Sequence, residues 1–412
     1  MPDSADHPLM NGALEGVTVL DFSQSIAGPY AATMLADFGA DVVSVEPPGG
    51  AGQRRMVKEA ARPNVMRNKR SLVLDLKSEG ADGVVADLVE ATDVVVHNYR
   101  PAVAERLGVD YDTLREHNPG LVVCSVTGFG ESGPYSDRPA TDPIAQAMSG
   151  LMWNTGNPDR KPSRVGASPV DVATGMYTAF AAMAALRHRD RTGEGQRVET
   201  SLFDTAAAFM GYWYTHYSRT GDQPGRQGDS WGGYAPVGIY ETADDPVYLS
   251  VMYQHLWERF CEVLDREAWL EDPRFATDDD RTANREALTA AIEAAFAEYG
   301  REELVDALVE AGIPASELKT VAEAAADEHL RERGTVERVE DTDGREVLTA
   351  AAPATLSATD PAVERGPPGT GEHTREVLRE RGLDERAIRS LLDRGVVDDG
   401  PGEEGSPPSN GE

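Results

Sequence analysis

The sequence predicts an α/β fold built on a parallel sheet, and three observations carry that prediction. Near-continuous apolar runs of strand length recur through the first half of the chain. Helical patterns separate the later ones. The runs lack the polar alternation of a half-solvated sheet, as strands covered by helices on both faces do. Residues 17–22 read as the first strand, followed by a helix over 29–38 that ends at Gly39. Further strands read at 41–46, 71–76, 93–97 and 121–126, an order that is Rossmann-like. After a helix rich in Ala, Met and Leu comes the stretch 196–203, then one long aromatic helix through Trp213 and Tyr217. Residues 219–234 are Gly-rich and polar, a linker or an active-site loop. A strand at 247–251 and acidic amphipathic helices to about residue 333 read as a smaller domain. Short strands at 335–356 and a helical pair within 370–397 complete the pattern. The expected organisation is a large Rossmann-like domain over 12–222, a smaller α+β domain over 223–333, a C-terminal part over 334–397, and a disordered acidic tail over 398–412.

The 412 residues carry a formal net charge of −32, spread along the whole chain. Lys58, Lys69, Lys77, Lys161 and Lys319 are the only lysines, and Arg supplies the other cations. A dispersed acidic surface stays soluble where salt screens its self-repulsion, so the chain reads as a halophile's cytoplasmic protein. Nucleic acid and anionic membranes are excluded as partners because both repel such a surface. Cys124 and Cys261 lie far apart in apolar contexts, which argues against a disulfide framework or a cysteine metal site. No signal-peptide pattern opens the chain, and no apolar run reaches the roughly eighteen residues of a membrane span.

The most informative local stretch is 165–175, VGASPVDVATG, which places Asp171 just after Pro169 at the mouth of a small-residue helix. The run from Met176 carries no charge before Arg187, which predicts a helix buried on all sides. A carboxylate at such a mouth meets free N–H groups and the positive end of the helix dipole and is expected to stay ionised. On local sequence alone, Asp171 is a helix cap or a nucleophile. Two other motifs are decoys. Gly128-Phe129-Gly130-Glu131-Ser132-Gly133 matches a dinucleotide fingerprint, but it follows the fifth strand and runs into a turn at Pro134. Gly228-Asp229-Ser230-Trp231-Gly232 matches a hydrolase elbow but lacks the strand before it and the helix after it. The lysines Lys58, Lys69 and Lys77 cluster within one segment and suit phosphate as point charges, or else they are solvated surface groups.

Six ordered motifs, spread over nearly the whole chain, carry a resemblance. They are residues 14–22 with Ala27-Gly28-Pro29 and 35–43; residues 68–77; Asn98-Tyr99-Arg100-Pro101 with Arg106-Leu107-Gly108; Gly128-Phe129-Gly130 through Tyr135 with Thr141-Asp142; residues 311–315; and residues 371–374. Together they resemble the class III CoA-transferases, the family of formyl-CoA and carnitine CoA-transferases. The resemblance implies an interlocked dimer of two ring-like chains, each with a large domain built from both termini and a small inserted domain.

It also implies that Asp171 is the nucleophile, with Asp142 in a supporting place. The Asp171 carboxylate would attack an acyl-CoA thioester to give a mixed anhydride. CoA thiolate would convert that to an aspartyl-CoA thioester, and an acceptor acid would reverse both steps. Only a carboxyl group can become first an anhydride and then a thioester. Gln24, Ser25 and Ala27 match a stretch lining the CoA channel. Leu74 and Lys77 match positions near the nucleotide and phosphates, and Asn98, Tyr99, Val103 and Arg106 match positions around pantetheine and adenosine. Gly232 and Gly233 resemble a mobile glycine loop over the nucleophile, with fewer glycines. Two cationic positions of the family are absent: Pro47 follows Glu46, and Pro139 stands beside Arg138.

The expected partners are acyl-CoA and carboxylic acid substrates and a second copy of the chain. No metal or redox cofactor is expected, coenzyme A entering as substrate. Family usage points to succinyl-CoA as donor and a C4–C5 dicarboxylate such as mesaconate as acceptor. The α-methylacyl-CoA racemases of the same superfamily place a His directly before the acid of the fourth motif; here that residue is Thr141. Racemisation needs two proton-transfer groups, so this branch is the weaker alternative. A non-catalytic CoA-binding protein is another.

Overall fold

The computed structural model describes residues 12–56, 59–231 and 233–400. Lys58, Gly232 and residues 401–412 of the expected tail lie outside the described residues. The described chain is α/β, as the apolar runs predict. Strand β1 (Thr18–Asp21) leads through α1 (Ala27–Asp37) to β2 (Asp41–Glu46) and on to β3 (Lys69–Leu74). Helix α2 (Ala81–Val89) then leads to β4 (Val94–His97), and α3 (Pro101–Leu107) follows before β5 (Val122–Thr127). Next come α4 (Asp142–Ser149), the long α5 (Pro169–Thr192), β6 (Arg197–Ser201) and α6 (Leu202–Phe209).

β1 to β6 run parallel, with β2 and β3 on one side of β1 and β4, β5 and β6 on the other. Val19 of β1 sits opposite Val42 on one flank and Val94 on the other. The connections therefore diverge between β1 and β4. In an open parallel sheet the carboxyl ends of two such strands leave a crevice for a ligand. One face of the sheet packs Leu20, Val43, Leu72, Val95 and Val123 against Val84, Val85 and Leu88 of α2. Helices α1 and α5 pack on each other, and Gly175 makes this close approach possible. A Cβ there would stand 2.7 Å from the Ala27 carbonyl oxygen and 3.1 Å from the Ala31 nitrogen.

The inner side of α5 buries Thr174, Thr178, Ala182 and Leu186. Its other side contradicts the expectation of all-round burial. Met176, Tyr177, Phe180 and Met183 face outward, Phe180 with 66% of its surface exposed. The absence of charge marks an apolar surface here, and the single chain covers only half of it.

The expected single aromatic helix is two helices, broken at Met210. The second of them is α7 (Gly211–Thr220). The described residues divide into two compact units. Residues 12–149, Gly166–Gly211 and 328–400 form the first, and Gly150–Val165 with Tyr212–Asp327 form the second. These bounds differ from the sequence-based 12–222, 223–333 and 334–397. The segment Gly150–Val165 carries no pattern that separates it from its neighbours in sequence, and it joins the second unit through contacts distant in the chain. For example, the Arg226 guanidinium lies 5.8 Å from the Trp153 ring centre, and the Gly228 N–H donates to the Gly156 carbonyl.

The second unit holds an antiparallel sheet, β7 (Val237–Tyr240), β8 (Val247–Ser250) and β9 (Ala315–Glu317). Helices α8 (Gln254–Val263), α9 (Arg285–Phe296) and α10 (Arg301–Glu310) cover it around buried Trp257, Phe260, Phe275 and Phe296. The chain then returns to the first unit with the hairpin strands β10 (Val336–Glu340) and β11 (Glu346–Ala350). Helices α11 (Thr374–Glu380) and α12 (Glu385–Asp393) follow, then β12 (Val397–Asp398). β12 pairs antiparallel with β3, setting Val397 opposite Leu74, so Asp398 belongs to the sheet and not to a disordered tail. Among the described residues no helix is long and apolar enough to cross a membrane.

Candidate active site

The diverging strands β1 and β4 end in two short loops that bond to each other. The Gln24 N–H donates to Asn98 Oδ1 at 3.0 Å, and Asn98 Nδ2 donates to the Gln24 carbonyl at 2.6 Å. Ser25 adopts a left-handed backbone with φ of 72°, which turns the chain sharply into α1. Gly28 lets that turn close, because a Cβ there would fall 2.5 Å from Ser23 Oγ. Beyond these loops, within the first unit, opens a cleft of about 230 Å³. Ser25, Ala27, Asn98 and Asp171 line it, so four of the residues singled out in the sequence meet at one place.

Asp171 is the third residue of α5, after Pro169 and Val170. It is not the helix cap. Asp142, buried at the start of α4, takes that role from outside the helix. Its Oδ2 accepts the Val170 N–H at 2.8 Å and the Asp171 N–H at 3.1 Å, and Gln146 Nε2 donates to its other oxygen. The Ser168 side chain at the cap position makes no capping bond.

The consequence for Asp171 reverses the sequence-based expectation of a firmly ionised carboxylate. Burial pushes its carboxyl up to about 7, and the charge of Asp142 adds in the same direction. Desolvation disfavours the charged form, and the nearby N–H groups that would offset it are bonded to Asp142.

The remaining predicted site residues divide. Tyr99 follows Asn98, and burial pushes its phenol above the ordinary value, against a hydrogen bond with Gln24. Leu74 is buried in the sheet core. Lys77 is exposed beyond the end of β3, and Arg106 is exposed on α3 with half-buried Val103 one turn before it. None of these five lines the cleft. Gly233 belongs to the second unit, with φ of 86°.

Lys69 is no phosphate ligand: it is fully buried, its Nζ 2.8 Å from Asp21 Oδ2 and 2.7 Å from the Pro29 carbonyl. Of the decoys, Gly128–Gly133 is a turn with no helix following before Asp142, and Ser230 Oγ donates to the Gln227 carbonyl in an irregular loop.

The sequence reading missed two cations at the cleft, Arg100 and Arg138. The Arg138 guanidinium stacks 4.0 Å from the centre of the Tyr135 ring, and Arg100 Nη1 donates to the Asp137 carbonyl at 3.2 Å. Arg100 sits between Asn98 and the first residue of α3, a strand-exit position that could have marked it. Arg138 adjoins Pro139, where the family's own cation is missing.

A Rossmann-like sheet with a carboxylate of raised proton affinity at its switch-point cleft accords with the motifs read from the sequence, and the family profile agrees. The description "CoA-transferase family III" matches residues 14–374, and the chain belongs to that family and is a CoA-transferase. It is 34% identical to the succinate–glutarate CoA-transferase of Agrobacterium fabrum, over 91% of this chain and 97% of that protein. It is 36% identical to the succinyl-CoA:mesaconate CoA-transferase of Haloarcula hispanica, over 90% and 97%. Among solved structures, a CaiB/BaiF family protein from Brucella suis superposes with a TM-score of 0.83 at 32% identity, covering 90% of this chain and all of that one.

Proposed function

We propose that this CoA-transferase moves CoA from succinyl-CoA to a C4–C5 dicarboxylate such as mesaconate, with Asp171 as the covalent relay. The observation that carries the reading is the Asp171 carboxylate lining the cleft beyond β1 and β4. In the first step a carboxylate oxygen of Asp171 attacks the thioester carbonyl carbon. The C–S bond breaks, leaving an anhydride and CoA thiolate. The thiolate then attacks the aspartyl carbonyl, and the donor acid leaves as carboxylate. The acceptor carboxylate attacks the resulting aspartyl thioester and expels the thiolate. That thiolate takes the acceptor's acyl group and restores the Asp171 carboxylate. Charge and protons balance across the cycle, so the proposal assigns the reaction no metal or redox cofactor.

A carboxylate that ionises near pH 7 is a better nucleophile than an ordinary aspartate, and it is still substantially ionised at that pH. Arg100 and Arg138 place positive charge where anionic substrates enter. Succinyl-CoA is named in the Haloarcula relative, and the dispersed net charge of −32 suits a solution in which salt screens self-repulsion. The outward apolar stripe of α5 is proposed as part of the surface that meets a second copy in a homodimer.

The test is mass spectrometry after incubation with succinyl-CoA and hydroxylamine. A hydroxamate on the peptide containing Asp171, absent from Asp171→Asn, is the expected result. Transfer by Asp171→Asn at the parent rate, or an adduct on another side chain, overturns the proposal. Thr141 before Asp142 sets the racemase reading aside, and deuterium uptake at the α-carbon of a branched acyl-CoA would restore it.

A further inference from the structure

A nucleophile that passes through anhydride and thioester states carries no negative charge in any of them. A helix that relied on it for capping would be uncapped from the first anhydride until the carboxylate is restored. The geometry around α5 avoids this. The two first-turn N–H groups of Val170 and Asp171 both go to one oxygen of Asp142, a residue on a different helix. Asp142 is itself held from its other oxygen by Gln146 and is 2% exposed.

An acidic residue at the third helical position ordinarily folds back onto the helix end. Here the first-turn donors are occupied, and the side chain of Asp171 turns to the cleft. We propose that Asp142 is a positioning residue: it keeps the N-terminus of α5 capped through the reaction and so frees the Asp171 carboxylate to change its bonding. The inference rests on the reading of Asp171 as the nucleophile.

The charge of Asp142 has a second effect. The elements packed against α5 carry Tyr30 on α1, Glu199 on β6 and Asp204 on α6, and Arg100 and Arg138 line the cleft. Yet the two influences that raise the proton affinity of Asp171 are burial and Asp142. A single carboxylate thus holds the helix end and strengthens the basicity of its neighbour.

The experiment separates cap from charge. Asp142→Asn keeps an oxygen that can accept both N–H groups but removes the charge, and Asp142→Ala removes both. Rapid-quench formation of the Asp171 adduct from succinyl-CoA, the pH profile of kcat/KM and thermal stability are measured for each. For Asp142→Asn we expect near-parent stability, an acid limb moved down by about one pH unit, and adduct formation slowed about threefold to tenfold at pH 8. For Asp142→Ala we expect the same shift in the limb with adduct formation slowed about a hundredfold, because the first turn is no longer held in place.

An acid limb unmoved in both variants overturns the inference, whether activity is kept or falls only with stability. Equal adduct rates in the two variants also overturn it. Failure of the underlying reading is distinct: it shows as no adduct on Asp171 in the parent protein.

Discussion

Gln24 and Asn98 exchange two hydrogen bonds across the gap where the sheet order reverses, so the loops leaving β1 and β4 form one wall. The pair uses the backbone of one residue and the side-chain amide of the other. Asn98→Asp keeps the acceptor for the Gln24 N–H and loses the donor to the Gln24 carbonyl. It also sets a negative charge beside a cleft proposed to take anionic substrates. The expected outcome is a KM for acyl-CoA raised about tenfold, with kcat changed by less than about threefold. Asn98→Ala should raise KM less, since it adds no charge. Steady-state kinetics over a range of succinyl-CoA concentrations decide the point.

The Asp171 carboxyl, pushed up to about 7, sets the acid side of the activity profile. The nucleophile is the ionised form, so kcat/KM should fall with decreasing pH through an apparent pKa near 7. It should drop about tenfold per pH unit below that. The same shift acts on stability with the opposite sense. Between the ordinary aspartate value and about 7, the folded protein holds a proton that the unfolded chain releases. Stability contributed by this group is therefore present at low pH and lost as pH rises through that window. Asp171→Asn removes the penalty. At pH 8 it should be more stable than the parent by on the order of 1–3 kcal/mol, while losing transfer activity. Chemical denaturation at pH 5 and pH 8 should show a clearly larger gain at the higher pH, because at pH 5 only the first part of the window has been crossed.

Much of this architecture was legible because a parallel sheet covered by helices writes itself as continuous apolar runs. The run at 41–46 coincides with β2, and the others agree with their strands to within two residues. β6 was harder, because it alternates Arg197, Val198, Glu199, Thr200 at the sheet edge and looks like no buried strand. The site was legible in its parts and not in its electrostatics. The motif order named Asp171 and Asn98, but no sequence pattern states that Asp142, 29 residues earlier, takes the N–H groups assumed to keep Asp171 ionised. The phosphate reading of Lys69 failed for the same reason. Whether an ammonium faces solvent or a buried carboxylate depends on tertiary neighbours, here Asp21 of β1, two strands away in the sheet.

Lys69 and Asp21 are both fully buried, and their Nζ–Oδ2 contact of 2.8 Å leaves neither charge unpaired. Asp21 also accepts the Ser23 N–H at 3.0 Å, which ties the pair to the turn leading into the site. Lys69→Met would leave the fully buried Asp21 carboxylate without its ion-pair partner. We expect it to cost about 3–5 kcal/mol of stability, the range for breaking a buried pair on one side. Lys69→Met with Asp21→Asn should recover part of that loss, because the double change leaves no uncompensated charge. Urea unfolding of the three variants measures this. CoA affinity per folded molecule should stay within about threefold of the parent, which a phosphate-binding lysine would not allow.

Phe180 projects from the middle of α5 with Met176 and Met183 one turn away on either side and Tyr177 alongside. An apolar stripe on a helix whose opposite side is fully packed is surface that water covers at a cost unless another chain covers it. If a second copy does so, a charge at Phe180 is placed in a desolvated interface while the folded chain itself is untouched, because the residue is 66% exposed. Phe180→Glu should therefore shift the protein from dimer to monomer in light scattering at about micromolar concentration, a loss of affinity of at least about a hundredfold. Its far-ultraviolet circular dichroism should match the parent's. A variant that remains fully dimeric would show that the stripe lies outside the interface.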